Sequence, residues 1–586
     1  MKHAGPTAEA AAYPRSGSWL DPERAEMHAN LGTALLAQED IAGAITSYES
    51  ALRFGPLSEK CIERLAVAYA ADGRLGDRTH IHRDTPVASL QFPKSYLPKA
   101  WATIARMLHE RSEHAAAISL CQSALRCVPG DAGVCVTLAG ILVDTDSPEE
   151  AAAMCRQLVA TTPDAGAYYV LGRALSDIGD NLAAVQAFRR CLGLAPGHVA
   201  ALYHLAAALS KLGLNHFAIP LLEMAIELKP HDAQTHSALG NALQLQGETA
   251  RAQAHFRRSS ELQPIVTWQA AGEPEFAALM VQAPGVANMP HEFLFRDASY
   301  NRHFVMLLPE IEPDIGLLDR HGDVVINLIS DVDQGANMLA AAADVIDRLG
   351  KPTINHPRNV VATARDMVAE RLSGIALCRV PATRRLTRAA LTAPGAVERN
   401  RLAFPLLLRV AGTHGGDAFE KMETSEDIAS FLAKYQAEEF YVSEYVDYCS
   451  GDGFFRKYRF VFTDTEILPY HLAIGKHWKI HHCTTEMANH SWMQEEEKAF
   501  LRNPGGMFSP THYEALAAIR AASGLDFFGI DCALDRDGNI VVFEVNASIL
   551  IHDYNVQFPY KTPYCVAIRH ALEAMLRRAA KATRRI

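Results

Sequence analysis

The sequence predicts a two-part chain: an all-α solenoid of stacked helix pairs followed by an α/β half that opens with a small parallel α/β unit. Three observations carry this. A period of about 34 residues, with small residues and prolines in register, runs from Ala25 to Pro264. After it, short β-branched runs alternate with amphipathic stretches. Near the C-terminus, two apolar runs flank Asp537-Gly538, a strong hairpin signal.

Composition sets the frame. At 586 residues the chain exceeds one ordinary domain, and 49% hydrophobic with 21% charged residues supports sizeable cores. The net charge of -11 is spread along the chain and argues against a nucleic-acid surface. The 11 cysteines lack metal-type spacing and follow no secretory signal, so reduced thiols in the cytoplasm are expected. No run has the length and apolarity of a membrane span, so no membrane partner is expected.

Residues 1–24 keep no sustained period and read as a flexible lead-in. Over 25–264 a small residue recurs at the eighth position, Ala at the twentieth and Pro at the thirty-second. The sets are Gly32/Ala44/Pro56, Ala105/Ala117/Pro129, Ala139/Ala151/Pro163, Gly172/Ala184/Pro196, Ala206/Ala218/Pro230 and Gly240/Ala252/Pro264. A bulky residue fills the twenty-fourth position at Tyr48, Phe188, Leu222 and Phe256. Small residues let paired helices approach, and proline ends the second helix. The pattern resembles the tetratricopeptide repeat, and residues 59–97 have the length of one degenerate copy. The resemblance implies a curved groove that binds a peptide or protein; a dimerisation or spacer module is the other reading. Residues 265–300, with Pro274, Pro284 and Pro290, read as a connector.

Beyond it, Phe304-Val-Met-Leu-Leu and Val324-Val-Ile-Asn-Leu-Ile read as buried strands, followed by helices over Met338–Leu349 and about 360–372. A strand from Phe404 delivers one cation, Arg409, ahead of a loop containing Gly412, Gly415 and Gly416. Glycines let backbone amides approach phosphate, and an Arg in an apolar strand calls for an anionic partner. Glu439–Val446 reads as a strand, and Phe454–Phe462 alternates so that Lys457 and Arg459 share one face. His471, Lys476, His477, Lys479, His481 and His482 crowd the next segment; adjacent histidines on a strand point to opposite faces, which favours a basic lining over a metal site. A helix is expected over Ser509–Ser523.

Folding the last hairpin about a two-residue Asp537-Gly538 turn sets Arg536 opposite Asn539 and Asp531 opposite Glu544, with Asn546 on the Glu544 face. Its back is then Ile530, Cys532 and Leu534 against Val541, Phe543 and Val545. Opposed carboxylates repel, so a cation is expected between them, and carboxylates with an amide oxygen suit Mg²⁺.

Asp531, Glu544 and Asn546 in this spacing resemble the metal triad of the ATP-grasp superfamily, glutathione synthetase among its members. The resemblance implies a small pre-ATP-grasp α/β subdomain over 301–358 and an ATP-grasp domain over 359–575; the basic tail that follows over 576–586 is read from its composition as a fraying helix end with cations near the C-terminal dipole. ATP would be bound with two Mg²⁺ ions. It assigns Arg409, Gly415, Gly416 and Arg365 to phosphate, and Glu444, Tyr445 and Val446 to the nucleoside. Arg459, with Lys457, steadies the transferring phosphoryl group. Ser548, His552 and His477 become substrate contacts. Many relatives carry an Asp-Lys pair where this chain has Asp366-Met367, leaving Arg365 as the nearest cation, and Arg409 stands where Lys is usual. The implied activity is an ADP-forming carboxylate–amine ligase that works through an acyl phosphate on a peptide or amino acid. Closure of a ribosomal peptide into an ester- or amide-linked ring is the alternative within the enzyme class, and a non-catalytic nucleotide-binding scaffold the alternative outside it.

Overall fold

The computed structural model describes residues 22–38, 40–54, 64–65, 68, 97–110, 113–145, 147–270, 272–285, 287–413, 416, 418–480, 485–552, 555 and 557–583. The degenerate repeat expected over 59–97 lies almost wholly outside them. The chain divides into two compact units, Met1–Glu248 and Thr249–Ile586.

The first unit is a succession of helices of 13 to 16 residues, from Pro22–Ala37 through Ala165–Ile178, Asn181–Leu194, Val199–Lys211 and Asn215–Leu228 to Ala233–Leu245. The repeat pattern now has a physical reading. A Cβ built on Gly172 would lie 2.5 Å from the Phe188 ring, so the small eighth position exists to receive the bulky twenty-fourth. Ala117, Ala184 and Ala218 are fully buried at the twentieth. Helices end at Cys127, Thr161, Leu194 and Leu228, each two residues before its proline. Asp131, Asp164, Asp180 and Asp232 cap the following starts by accepting from backbone amides at 2.7–3.1 Å.

Among the described residues the second unit holds three sheets. The first combines β1 (Val266–Trp268), β2 (Ala277–Gln282), β3 (Asn301–Met306), β4 (Val324–Asn327) and β5 (Thr353–Ile354) in the order β1-β3-β2-β4-β5. Only β1 runs antiparallel to its neighbour. Residues 265–300 are therefore not a mere connector: they supply β1 and the buried strand β2, whose Leu279, Met280 and Val281 are inaccessible. The apolar run Phe276–Val281 outweighs the prolines that flank it. Naming the remaining strands in chain order, β6 is Cys378–Arg379, β7 Thr383–Thr387, β8 Leu406–Val410, β9 Phe419–Met422, β10 Glu439–Glu444, β11 Phe455–Phe462, β12 Ile467–Gly475, β13 Phe528–Leu534 and β14 Ile540–Asn546. They form an antiparallel sheet β7-β10-β8-β9 and a sheet β12-β11-β13-β14-β6.

Three further expectations are corrected. The helix expected over 360–372 is two, Pro357–Val361 and Arg365–Arg371, because Ala364 adopts extended backbone at the start of the second. The basic run, expected to fray at a helix end, belongs through Thr583 to a packed helix, Thr562–Thr583, whose Leu572, Met575, Leu576 and Ala580 are buried. Arg577 there bonds Glu275 and Glu573, and Arg578 bonds Asp464. The hairpin turn is one residue longer than expected: Asp535 pairs with Asn539, and Gly538 takes φ +78°. A bulge between Asp531 and Cys532 on one side and Val542 and Glu544 on the other restores the register, so Asp531 still faces Glu544. Between turn and bulge the faces are exchanged. Ile540 and Val542, not Val541 and Phe543, join Ile530, Cys532 and Val545 in the core behind, while Phe543 packs in front with Tyr448 and Ala533. No helix among the described residues is long and apolar enough to cross a membrane.

Candidate functional site

Register across β12, β11, β13 and β14 puts His471, Arg459, Asp531 and Glu544 in one row, with strands about 4.8 Å apart. Both oxygens of the buried Asp531 carboxylate are engaged. Arg459 Nε lies 2.5 Å from Oδ1 and its Nη2 2.9 Å from Oδ2, and Lys457 Nζ lies 3.0 Å from Oδ2. Burial alone would raise the Asp531 carboxyl, but these two cations outweigh it and hold it well below the usual carboxylate range. Arg365, at the first turn of its helix, donates to Glu544 Oε2 at 2.8 Å. Burial and Asp531 push the Glu544 carboxyl up, and Arg365, Lys457 and Arg409 pull it down to a net lowering. Asn546, two residues on, accepts from the Ser548 amide at 2.7 Å.

A second row crosses the other sheet: Arg385, Tyr441, Arg409 and Phe419 on β7, β10, β8 and β9. The Arg409 guanidinium stacks 4.3 Å from the Phe419 ring centre and donates to the Thr413 carbonyl at 3.0 Å. Asp333, in the loop after β4, accepts from Tyr441 Oη at 2.9 Å, from Arg385 at 3.0 Å and from the Gly412 amide at 3.0 Å. The glycine loop is thereby tied at its first turn to the loop ahead of the Ala336–Leu349 helix. Gly416 has φ +87°, a conformation open to glycine, and sits against Lys479; Gly415 lies outside the described residues.

At the end of β10 the Glu444 carboxylate bonds Arg379 at 2.7 Å and the Ala382 amide at 3.3 Å. Tyr445 receives the Lys421 ammonium 4.0 Å from its ring centre, and Val446 is buried beside it. Tyr448, Ala473, Ile480, Ala533 and Phe543 form an apolar floor. The structure thus brings together Arg365, Arg409, Lys457, Arg459, Asp531 and Glu544. His477 is exposed, Ser548 engages Asn546 through its amide, and His552 is half-buried, its carbonyl accepting from Asn555.

Sequence reasoning missed a buried network beside the row. Glu497, fully buried, accepts from Tyr560 Oη at 2.6 Å and the Leu472 amide at 3.2 Å, with His471 Nδ1 at 2.5 Å and Lys561 Nζ at 3.5 Å. It stands in the run Glu495-Glu496-Glu497, which reads as a solvated helix face, so no signal marked it. Asp333 carried a faint one, in the Asp331-Val-Asp-Gln-Gly turn between strand and helix.

Among the described residues no group of three or more His, Cys, Asp or Glu could hold a metal ion. The donors here are two carboxylates and an amide oxygen. That set fits Mg²⁺ in its usual manner, where few protein oxygens are completed by phosphate and water.

Models of the tetratricopeptide repeat match residues 8–59, 108–174 and 165–198. The first unit carries tetratricopeptide repeats. Similar solved structures include MamA from Desulfovibrio magneticus RS-1, at 20% identity over 28% of this chain and 95% of that one (TM-score 0.26). A thermophilic tetratricopeptide-repeat protein of Thermus thermophilus is 21% identical over 28% and 92% (TM-score 0.26). Pseudomonas aeruginosa pilF is 16% identical over 29% and 77% (TM-score 0.27). No match to a curated protein was found. Along the tetratricopeptide repeats, first helices are linked one repeat apart by polar contacts: His109 and Arg173 to Asp144, Lys211 to Ser176, Gln234 to Tyr203.

Proposed function

We propose that the Thr249–Ile586 unit is an ATP-grasp domain acting as an ATP-dependent, ADP-forming carboxylate–amine ligase in the cytoplasm, with the tetratricopeptide repeats binding a peptide or protein. The observation that carries this reading is the directly opposed pair Asp531 and Glu544, with Asn546 alongside, ringed by Arg365, Arg409, Lys457 and Arg459. Two carboxylates and four cations at the meeting of two sheets suit a triphosphate and its metal.

On this reading Asp531, Glu544 and Asn546 would hold Mg²⁺, which when bound neutralises phosphate charge as a Lewis acid. Arg365 and Arg409 bind the triphosphate; Tyr445, Val446 and the apolar floor under Phe543 take the adenine. An oxygen of the substrate carboxylate attacks the γ-phosphorus, the bond to the β-phosphate oxygen breaks, and ADP leaves. Arg459 and Lys457 stabilise the charge on the transferring group. The amine then attacks the acyl carbon, the acyl carbon–oxygen bond breaks, phosphate leaves with the bonding pair and takes up the proton lost by the amine, and an amide remains. The glycine loop that follows Gly412, where Asp333 accepts from the backbone amide, would exclude water while the acyl phosphate exists. Peptides or amino acids are the substrate class.

The cations already paired with Asp531 and Glu544 favour a second reading, a nucleotide-binding scaffold without turnover. The test is ADP release with Mg²⁺ and ATP against pooled amino acids and short peptides, beside Glu544→Gln. Acceptor-stimulated ADP release lost in the variant supports the ligase, and mass spectrometry of the product separates a linear amide from a ring. Failure to bind ATP at all sinks both readings.

A further inference from the structure

The pairing within the carboxylate row bears on how the metal reaches it. Asp531 uses both oxygens on Arg459 and Lys457, and Glu544 uses one on Arg365. Arg409 adds a fourth cation close enough to depress the Glu544 carboxyl. Two carboxylates among four cations leave the site with a net charge of about +2, which repels a free divalent ion. Any ion arriving alone must also break charge-assisted hydrogen bonds in a buried place, where they are strongest. A triphosphate reverses both terms. Its oxygens offer the arginines bidentate acceptors, and its four negative charges turn the site's balance to about -2.

We infer that Arg365, Lys457 and Arg459 act as an internal cation lock on Asp531 and Glu544, so that a divalent metal is taken up only together with the nucleotide. The inference rests on the nucleotide site proposed above.

The experiment is equilibrium dialysis of the full chain with Mn²⁺, with and without AMP-PNP, correcting for Mn²⁺ held by free AMP-PNP. Retention at the site is defined as the part lost in Asp531→Asn. Wild type is expected to hold Mn²⁺ at least about tenfold more tightly with AMP-PNP than without it. Arg365→Met and Lys457→Met together are expected to hold Mn²⁺ without nucleotide. Wild-type retention that is equal with and without AMP-PNP overturns the lock, and needs no variant to fold. Should AMP-PNP itself fail to bind in calorimetry with Mg²⁺, the nucleotide site falls and the lock with it. If AMP-PNP binds but metal is held independently of it, the lock alone is wrong.

Discussion

Replacing Glu497 by Gln removes one charge from a buried network and leaves its shape. Burial by itself would raise this carboxyl, but the His471 and Tyr560 hydrogen bonds and the Lys561 charge hold it down to about 2, against an ordinary 4.5. A carboxyl depressed by that much contributes about 3 kcal/mol to stability. The sign follows from the depression: the contribution is complete above pH 4.5, where the unfolded carboxyl is ionised, and disappears as pH falls through 2. His471 is pushed below its ordinary 6.5 by burial and by Lys561, against the raising effect of Glu497, so the substitution lowers it further and the difference between the two proteins reports the Glu497–His471 pair. Urea unfolding followed by tryptophan fluorescence should show Glu497→Gln less stable by about 3 kcal/mol at pH 7 and by less than about half of that at pH 3. Equal midpoints at pH 7, or a difference unchanged by acid, would refute the network as described.

Three further substitutions test other parts of the account. Gly172→Ala drives a methyl into the Phe188 ring and should lower the stability of the repeat unit by about 1–3 kcal/mol, read from thermal unfolding of the full chain. Phe188→Ala should cost about 3–5 kcal/mol, because the ring is fully buried; a loss below about 1 kcal/mol in both would contradict the packing. Asp333→Asn weakens the acceptor for Tyr441, Arg385 and Gly412 and should speed amide exchange over residues 411–413 without changing exchange in β13. Unchanged exchange at Gly412 would mean that the loop is not anchored there.

The repeats were legible because each rule is local: a small residue must face a ring one helix away, and proline must follow a helix end. The opposition of Asp531 and Glu544 was read correctly by way of two unseen features that offset each other, a three-residue turn and a bulge at Phe543. Periodicity of two cannot locate a bulge, so the exchange of Val542 for Phe543 on the core face was out of reach. The strands in 265–300 were hidden by prolines that sit in the loops around β2. Partners from distant segments were illegible altogether. Nothing in the sequence joins Asp333 to Gly412, or Glu497 to Lys561, since both pairings come from tertiary packing.

The central claim is that the row through Arg459, Asp531 and Glu544 is where a nucleotide and its metal meet. A crystal structure of the full chain with AMP-PNP and Mn²⁺ tests it most directly. An anomalous manganese peak between the Asp531 and Glu544 carboxylates and the phosphates, with adenine against Tyr445 and Val446, is the predicted result. Nucleotide density elsewhere, or the Arg365–Glu544 and Arg459–Asp531 pairs intact with no manganese beside them at saturating AMP-PNP, would contradict it.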